Sequence, residues 1–127
     1  MRIALITGAS SGLGREYARW ADAHGSFDQI WAIARREERL HALAKELSTP
    51  VRALPLDLTE GSAATTLQAI LDEEACDDPS LEVGLLVNAA GFGKFGTYAD
   101  MTLAEANSMV DLNCRSSSFS IVIFPFF

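Results

Sequence analysis

Four short apolar runs alternate along the chain with segments whose apolar residues recur at helical spacing. The runs cover residues 3–6, 30–34, 51–58 and 83–87. The first two are apolar throughout, as in strands that are buried on both faces of a parallel sheet. Because strands that alternate with helices indicate βαβ units, the pattern predicts an α/β fold with a Rossmann-like, doubly wound parallel sheet.

The segments between and after the strands predict four helices. Their apolar positions are Leu13, Tyr17, Trp20 and Ala21 in the first helix, Leu40, Leu43, Ala44 and Leu47 in the second, and Leu67, Ile70 and Leu71 in the third. We expect the third helix to end in an acidic surface loop over residues 72–79. Thr102 and Glu105 have the spacing of a capping box that opens the fourth helix.

A proline inside the third apolar run predicts the position of that strand in the sheet. Pro55 has no N–H group to donate to a neighbouring strand, so its strand should lie at a sheet edge. The doubly wound strand order 3-2-1-4 places the third strand at an edge. The sequence therefore predicts a partial sheet of this order.

Glycines follow the first strand at the spacing Gly-x-x-x-Gly-x-Gly and lead into the first helix. In a strand–turn–helix context, one glycine makes the tight turn, one lets the backbone approach a pyrophosphate, and one lets the helix pack on the strand. Free N–H groups and the positive end of the helix dipole then hold the anion. We predict a nucleotide-binding turn, with a purely structural glycine loop as the alternative. The residues of the predicted nucleotide-binding turn are Gly8, Ser10, Ser11, Gly12, Leu13 and Gly14.

Two arginines follow the second strand, where the side chain that selects the cofactor is expected. An acid at the end of this strand would bind a ribose 2′-hydroxyl, whereas an arginine accommodates a 2′-phosphate. This chain has Arg35 and Arg36 there, and the first acid is Glu37. We therefore expect NADP(H) rather than NAD(H), with Arg35 as the phosphate contact and Arg36 as a stacking or second contact. The alternative is that both arginines merely face solvent.

The segment from residue 7 to residue 14, Thr-Gly-Ala-Ser-Ser-Gly-Leu-Gly, closely resembles the cofactor motif of the short-chain dehydrogenase/reductase family. The resemblance implies an oxidoreductase that transfers a hydride between NADP(H) and an alcohol or carbonyl substrate. It also implies that Asp57 and Leu58 contact the adenine ring. Asn88, Ala89, Ala90 and Gly91 resemble a family segment that steadies the sheet and touches the cofactor; a simple strand-to-loop turn is a compatible interpretation.

Asn113 is the candidate catalytic residue. Ala106, Val110, Asn113 and Ser117 recur at helical spacing, which predicts that the amide is buried and must find hydrogen-bond partners. By resemblance to the family, Asn113 would join a proton relay with Ser, Tyr and Lys side chains. The alternative is a core asparagine with satisfied hydrogen bonds and no catalytic role.

The resemblance ends near residue 115, before the Tyr-x-x-x-Lys pair of the family. Tyr17 and Tyr98 are the only tyrosines, and the residues four positions further on are Ala21 and Thr102. We expect an incomplete NADP(H)-binding domain over residues 1–115 and an apolar tail over residues 116–127. Such a truncated chain would be inactive alone and prone to self-association through the open edge of its fourth strand. The alternative is a non-catalytic nucleotide-binding or interaction module.

Composition limits the partners and the cellular location that we expect for this chain. The chain has 127 residues, 49% of them hydrophobic, and a net charge of −7, which argues against nucleic acid as a partner. No apolar run reaches the roughly 20 residues of a membrane helix. Strand residues begin at Arg2, so no signal peptide is expected, and two widely spaced cysteines favour a reducing compartment. We expect a cytoplasmic protein without a metal site or a membrane partner.

Overall fold

The computed structural model describes residues 1–92 and 98–118, with the strands and helices in strict alternation. The elements are β1 (Arg2–Thr7), α1 (Gly12–His24), β2 (Gln29–Ala34), α2 (Glu37–Glu46), β3 (Val51–Pro55), α3 (Ala63–Asp77), β4 (Glu82–Asn88) and α4 (Leu103–Val110). A 3₁₀ turn at Tyr98–Asp100 precedes α4, and a π-helical turn at Asp111–Arg115 follows it. Residues 116–118 continue as helix.

The four strands form one parallel sheet in the order β3-β2-β1-β4, which confirms the predicted fold class and strand order. At the centre of the sheet, Ile6 of β1 lies between Ala32 of β2 and Val87 of β4. Pro55 lies at the end of the edge strand β3, opposite Ala34. Its missing N–H therefore leaves no gap between two paired strands.

Helices cover both faces of the sheet. On one face, α1 and α2 bury Ala18, Ala21, Leu40 and Leu43 against β1 and β2. On the other face, the buried side chains of α3 are Ala63, Leu67 and Leu71. The side chains of β1 and β2 are almost entirely inaccessible to solvent from Ile3 to Thr7 and from Ile30 to Ala34. Burial on both faces is the physical reason for their continuous apolar runs.

Two predicted boundaries are wrong. β3 ends at Pro55 rather than at residue 58, because the chain turns there: the Asp57 carboxylate accepts hydrogen bonds from the backbone N–H and the hydroxyl of Thr59. The helix α3 continues through residues 72–77, where an acidic loop was expected. This segment contains no glycine and no proline before Pro79, so its charges lie on a helix surface instead of a loop.

The helix α1 is confirmed, but of its four predicted apolar positions only Ala21 packs on the sheet. Its buried residues are the small Gly14, Ala18 and Ala21. Leu13, Tyr17 and Trp20, which predicted the helix, are 72%, 47% and 51% exposed. Small residues on the buried face let the helix approach the sheet closely.

The fourth helix begins as predicted, with a capping box between Thr102 and Glu105. The predicted buried stripe is wrong, because Val110 is 55% exposed and Asn113 is also exposed. Val110 precedes the π-helical turn at Asp111–Arg115, which shifts the helix phase only for the positions after it. Ser116, which follows that turn, is the buried polar residue of this segment, at 3% exposure.

The predicted division between a domain over residues 1–115 and a tail over residues 116–127 stays a prediction. Helical structure continues through residue 118, across the proposed boundary. The apolar tail from residue 119 onward lies outside the described residues. Residues 93–97 of the glycine-rich loop that follows β4 lie outside them as well.

Candidate cofactor site

A cleft of about 390 Å³ opens at the carboxyl ends of the parallel strands. In open α/β sheets this is the end where ligands bind. Its walls come from the segments that follow each of the four strands, together with one residue beyond α4. The lining residues are Gly8, Ser10, Ser11, Gly12, Leu13, Ile33, Ala34, Arg35, Arg36, Leu56, Asp57, Leu58, Ala89, Ala90, Gly91, Phe92 and Leu112.

The three glycines of the turn occupy three different environments. Gly8 has a φ of +68°, and a Cβ atom there would lie 2.7 Å from the backbone oxygen of Ala89. Gly12 has a φ of +56° with open space around its missing side chain. At Gly14 a Cβ atom would lie 2.3 Å from the oxygen of Gly8. The first glycine thus makes the turn, the second leaves the backbone approachable from the cleft, and the third lets α1 pack on the turn.

The amino-terminal end of α1 is free to bind an anion. Ser11 is the N-cap residue, but its side chain makes no capping hydrogen bond, and the first turn contains no acidic residue. The first N–H groups of a helix have no partner within the helix, and the helix dipole adds partial positive charge there. Because Ser11, Gly12 and Leu13 line the cleft, these groups lie at its wall.

Arg35 and Arg36 bring two positive charges to the cleft at the end of β2. Both are exposed, and within residues 1–92 and 98–118 neither guanidinium makes a hydrogen bond or an ion pair. By contrast, Arg15 and Arg19 of α1 are both held by Glu46. The cleft therefore carries two cations that no carboxylate of the described chain holds.

Asp57 is the carboxylate at the cleft wall. Hydrogen bonds from the Thr59 hydroxyl and backbone lower the pKa of Asp57, and the positive charge of Arg35 lowers it further. The carboxylate is consequently ionised at neutral pH and acts as a hydrogen-bond acceptor. Leu58, which follows it, is buried.

Thr7 joins the glycine turn to the segment that follows β4. Its hydroxyl oxygen accepts hydrogen bonds from the N–H groups of Ala89 and Ala90, each at 3.1 Å, and its O–H donates to the oxygen of Val87 at 3.4 Å. Sequence reasoning did not select Thr7 as a site residue. Its place directly before the glycine motif was the available signal.

Asn113 lies beside the cleft and holds the backbone of one lining residue. Its Oδ1 accepts a hydrogen bond from the Phe92 N–H at 3.0 Å, and its Nδ2 donates to the Phe92 oxygen at 2.7 Å. A Cβ atom at Gly91 would lie 2.5 Å from Oδ1, so glycine permits this approach. The amide is satisfied by the loop backbone at an exposed position rather than in a core.

The structure brings together all but two of the predicted cofactor residues. Gly14 lies beneath the turn, and Asn88 ends β4 opposite Thr7, so neither lines the cleft. Five lining residues were not predicted from the sequence: Ile33, Ala34, Leu56, Phe92 and Leu112. Ala34, Leu56 and Leu112 directly precede predicted residues in the chain, so their sequence positions could have indicated them.

The described residues offer no competing metal centre. Among them, no group of three His, Cys, Asp or Glu side chains is placed to hold a metal ion. Cys76 and Cys114 are both free and exposed. No helix in the described part of the chain combines the length and the apolar character that crossing a bilayer requires.

Comparison with known proteins decides the family. The family model for short chain dehydrogenases matches residues 2–122. The chain belongs to the short chain dehydrogenase family. This short chain dehydrogenase is 41% identical over 117 residues to sulfoacetaldehyde reductase 2 of Chromohalobacter salexigens, an alignment that covers 89% of the chain and 43% of the reductase.

Two further relatives are described with a nicotinamide cofactor. A probable NADP-dependent dehydrogenase of Dichelobacter nodosus is 43% identical over 112 residues, which is 87% of this chain and 99% of that protein. The solved structure of a short-chain dehydrogenase from Sphingobium yanoikuyae in complex with NADPH is 29% identical, with a TM-score of 0.78. That match covers 97% of this chain and 47% of the other. The chain spans about half the length of several curated relatives that it matches.

Proposed function

We propose that this short chain dehydrogenase binds NADP(H) in the cleft, as the cofactor-holding part of an oxidoreductase acting on an alcohol or carbonyl substrate. The observation that carries the proposal is the pair of unpaired guanidinium groups, Arg35 and Arg36, at the end of β2. A ribose 2′-phosphate is the part of NADP(H) that such cations recognise. The cofactors named for the Dichelobacter and Sphingobium relatives support the same choice.

The residues of the cleft fit the parts of a dinucleotide. Gly12 and the free N–H groups of α1 would hold the pyrophosphate, since the backbone there is open to the cleft. Asp57 and Leu58 would take the adenine, with the ionised Asp57 as acceptor for its amino group. Ala89, Ala90 and Gly91 would line the path of the cofactor on the β4 side. Bound NADPH would supply the hydride.

Asn113 would act as a positioning residue, because its contacts are with the backbone of Phe92 rather than with the cleft itself. Its place in a proton relay stays a prediction. The alternative of a non-catalytic nucleotide-binding or interaction module also stays a prediction. The cytoplasmic location and the lack of nucleic-acid and membrane partners also stay predictions.

Arg35→Ala tests the cofactor choice. Charge-assisted hydrogen bonds contribute about 1.5–3 kcal/mol, so the variant should bind NADPH about tenfold or more weakly while its affinity for NADH is unchanged. Fluorescence titration of both cofactors against the wild type measures this. Arg39→Ala is the matched control, since Arg39 is exposed on the following helix α2 and does not line the cleft. Equal losses for the two variants, or equal wild-type affinity for the two cofactors, would refute the 2′-phosphate site.

A further inference from the structure

Two oppositely charged side chains share the end of the cleft that β2 and β3 form. The N–H group of Leu56 donates a hydrogen bond to the oxygen of Ala34 at 3.1 Å, so the segments that leave these two strands are still joined there. Arg35 and Asp57 each come one residue after this hydrogen-bonded pair, and both line the cleft. The cation and the carboxylate therefore belong to the same wall.

Asp57 is an anion that is held by Thr59 rather than by Arg35. The backbone N–H group of Thr59 donates to Oδ1 of Asp57 at 3.0 Å, and the Thr59 hydroxyl donates to the same oxygen at 2.6 Å. In the described part of the chain, Oδ2 of Asp57 therefore has no protein partner. The hydrogen bonds from Thr59, and to a smaller extent the charge of Arg35, lower the pKa of Asp57, so the carboxylate is ionised at neutral pH.

Three charged residues set the electrostatic balance of the cleft. Arg35 and Arg36 are its cations, and Asp57 is the only acid among the described residues that line it. Two nearby acids, Glu37 and Glu38, are exposed in the first turn of α2 and do not line the cleft. A ligand that enters the cleft consequently meets two positive charges and one negative charge.

We propose that Asp57 is a specificity-determining residue whose charge limits the preference of the cleft for NADP(H) over NAD(H). This inference rests on the proposed 2′-phosphate site. A phosphate monoester carries a charge of about −1.5 to −2 at neutral pH, so a 2′-phosphate bound beside Arg35 is repelled by the carboxylate in the same wall. NAD(H) has an uncharged hydroxyl group at this position and does not meet this repulsion.

The charge effect of Asp57 differs from its proposed contact with the adenine. The adenine ring is identical in the two cofactors, so a hydrogen bond to it changes both affinities by the same factor. Repulsion of the 2′-phosphate changes the affinity for NADP(H) only. The ratio of the two affinities is therefore a readout that neither an adenine contact nor a structural role of Asp57 beside Thr59 would change.

Asp57→Asn is the test, because the amide keeps the size of the side chain and an oxygen acceptor but loses the charge. At low ionic strength the affinity for NADPH relative to NADH should rise about three- to tenfold, as expected for one charge roughly 8 Å from a doubly charged phosphate in a solvated cleft. This rise should shrink between about 0.01 M and about 0.1 M salt, because the Debye length falls from about 30 Å to about 10 Å. Fluorescence titration of both cofactors at each salt concentration measures the ratio.

Two further variants control for the loss of a charge and for folding. Glu60→Gln removes the same charge from the same segment, but Glu60 is exposed and does not line the cleft, so the ratio should stay nearly unchanged. Asp57→Ser removes the cleft charge with a different side chain and should raise the ratio as Asp57→Asn does. It keeps the test valid where the asparagine variant does not fold.

The outcomes separate this inference from the proposed function. A ratio that is unchanged or lower in the Asp57 variants, or an equal rise in Glu60→Gln, would overturn the role of Asp57. If Arg35→Ala lowers the ratio in the same experiment, the 2′-phosphate site stands and only the role of Asp57 is refuted. An unchanged ratio in Arg35→Ala would refute the 2′-phosphate site itself, and the inference about Asp57 with it.

Discussion

At the end of β1, a single hydroxyl group connects the two segments that flank the cleft. The Thr7 side chain is 2% exposed, and its oxygen takes the N–H groups of both Ala89 and Ala90. Both N–H groups are partly buried, and an N–H group without an acceptor costs free energy, so this one side chain satisfies two partly buried donors. It also holds the segment after β4 against the turn at Gly8, where the two backbones are already in contact.

Replacement of Thr7 by valine should therefore destabilise the fold. Valine keeps the shape but leaves the N–H groups of Ala89 and Ala90 without their acceptor, at a cost of about 1 kcal/mol for each group, the low end of the penalty for a buried donor because both residues are only partly buried. Urea unfolding followed by circular dichroism measures the loss, and Thr7→Ser, which keeps the hydroxyl, is the control. A Thr7→Val protein as stable as the serine variant would show that water or a backbone shift satisfies both groups.

The cleft residues that sequence reasoning found are those whose role needs only backbone geometry or charge. Glycines at fixed spacing between a strand and a helix have few other uses, and Arg35 and Arg36 stand at a position that the strand order defines. Asn113 was placed wrongly in the core, because helical spacing alone does not show which face of a helix packs: Val110, which precedes the π-helical turn, is already exposed. Its hydrogen bonds to Phe92 depend on a loop conformation that spacing alone does not give.

At the scale of elements, the predictions are correct for the strands that are buried on both faces of the sheet. β1 and β2 are covered on both faces, so their apolar runs are unambiguous. For α1, periodicity predicted the helix, but only Ala21 of its four apolar positions packs on the sheet, since small residues that approach the sheet have a weaker signal than Tyr17 and Trp20. The end of α3 was missed because acidic residues, which favoured a loop, are equally compatible with an exposed helix.

An ion pair network joins α1 to α2 on the outer surface of the molecule. Arg15 Nη2 lies 2.9 Å from Glu46 Oε2, and Arg19 Nε lies 2.5 Å from Glu46 Oε1. The hydrogen bonds from Arg19 and then from Arg15 lower the pKa of Glu46 to about 2. The Glu46 carboxylate therefore stays ionised, and paired with both guanidinium groups, at pH values where an isolated glutamate would be protonated.

This network should make stability depend on pH in a defined window. A pKa that is lowered by folding contributes stability above its unfolded value, about 4.5, and loses it as the pH falls toward about 2. Glu46→Gln should therefore show a smaller decrease in the free energy of unfolding between pH 5 and pH 2, roughly the window of that shift. Some decrease persists, since the pKa values of Asp22 and Asp78 are lowered as well.

Urea unfolding at several pH values measures the effect of Glu46→Gln. Glu38→Gln is the matched control, because Glu38 is exposed on the same helix and makes no ion pair within the described residues. The control should keep the full dependence of the wild type. Identical pH profiles for the two variants would mean that the network between α1 and α2 contributes nothing in solution.

At the scale of the whole molecule, the cleft lies next to an open groove between α1 and β4. Leu13 lines both, whereas Glu16, Tyr17, Trp20 and Leu85 line the groove only. No tyrosine–lysine pair at the family spacing is present in the 127 residues to donate a proton.

The chain alone should consequently bind NADPH without oxidising it. Loss of a general acid typically costs roughly 100- to 10,000-fold in rate, and here no residue pair at the family spacing replaces it. NADPH absorbance in the presence of simple aldehydes and ketones measures turnover, and cofactor fluorescence in the same sample shows whether the site is folded. Substrate-dependent NADPH consumption that disappears in Arg35→Ala would contradict this expectation, because it would place catalysis within the cleft of this chain.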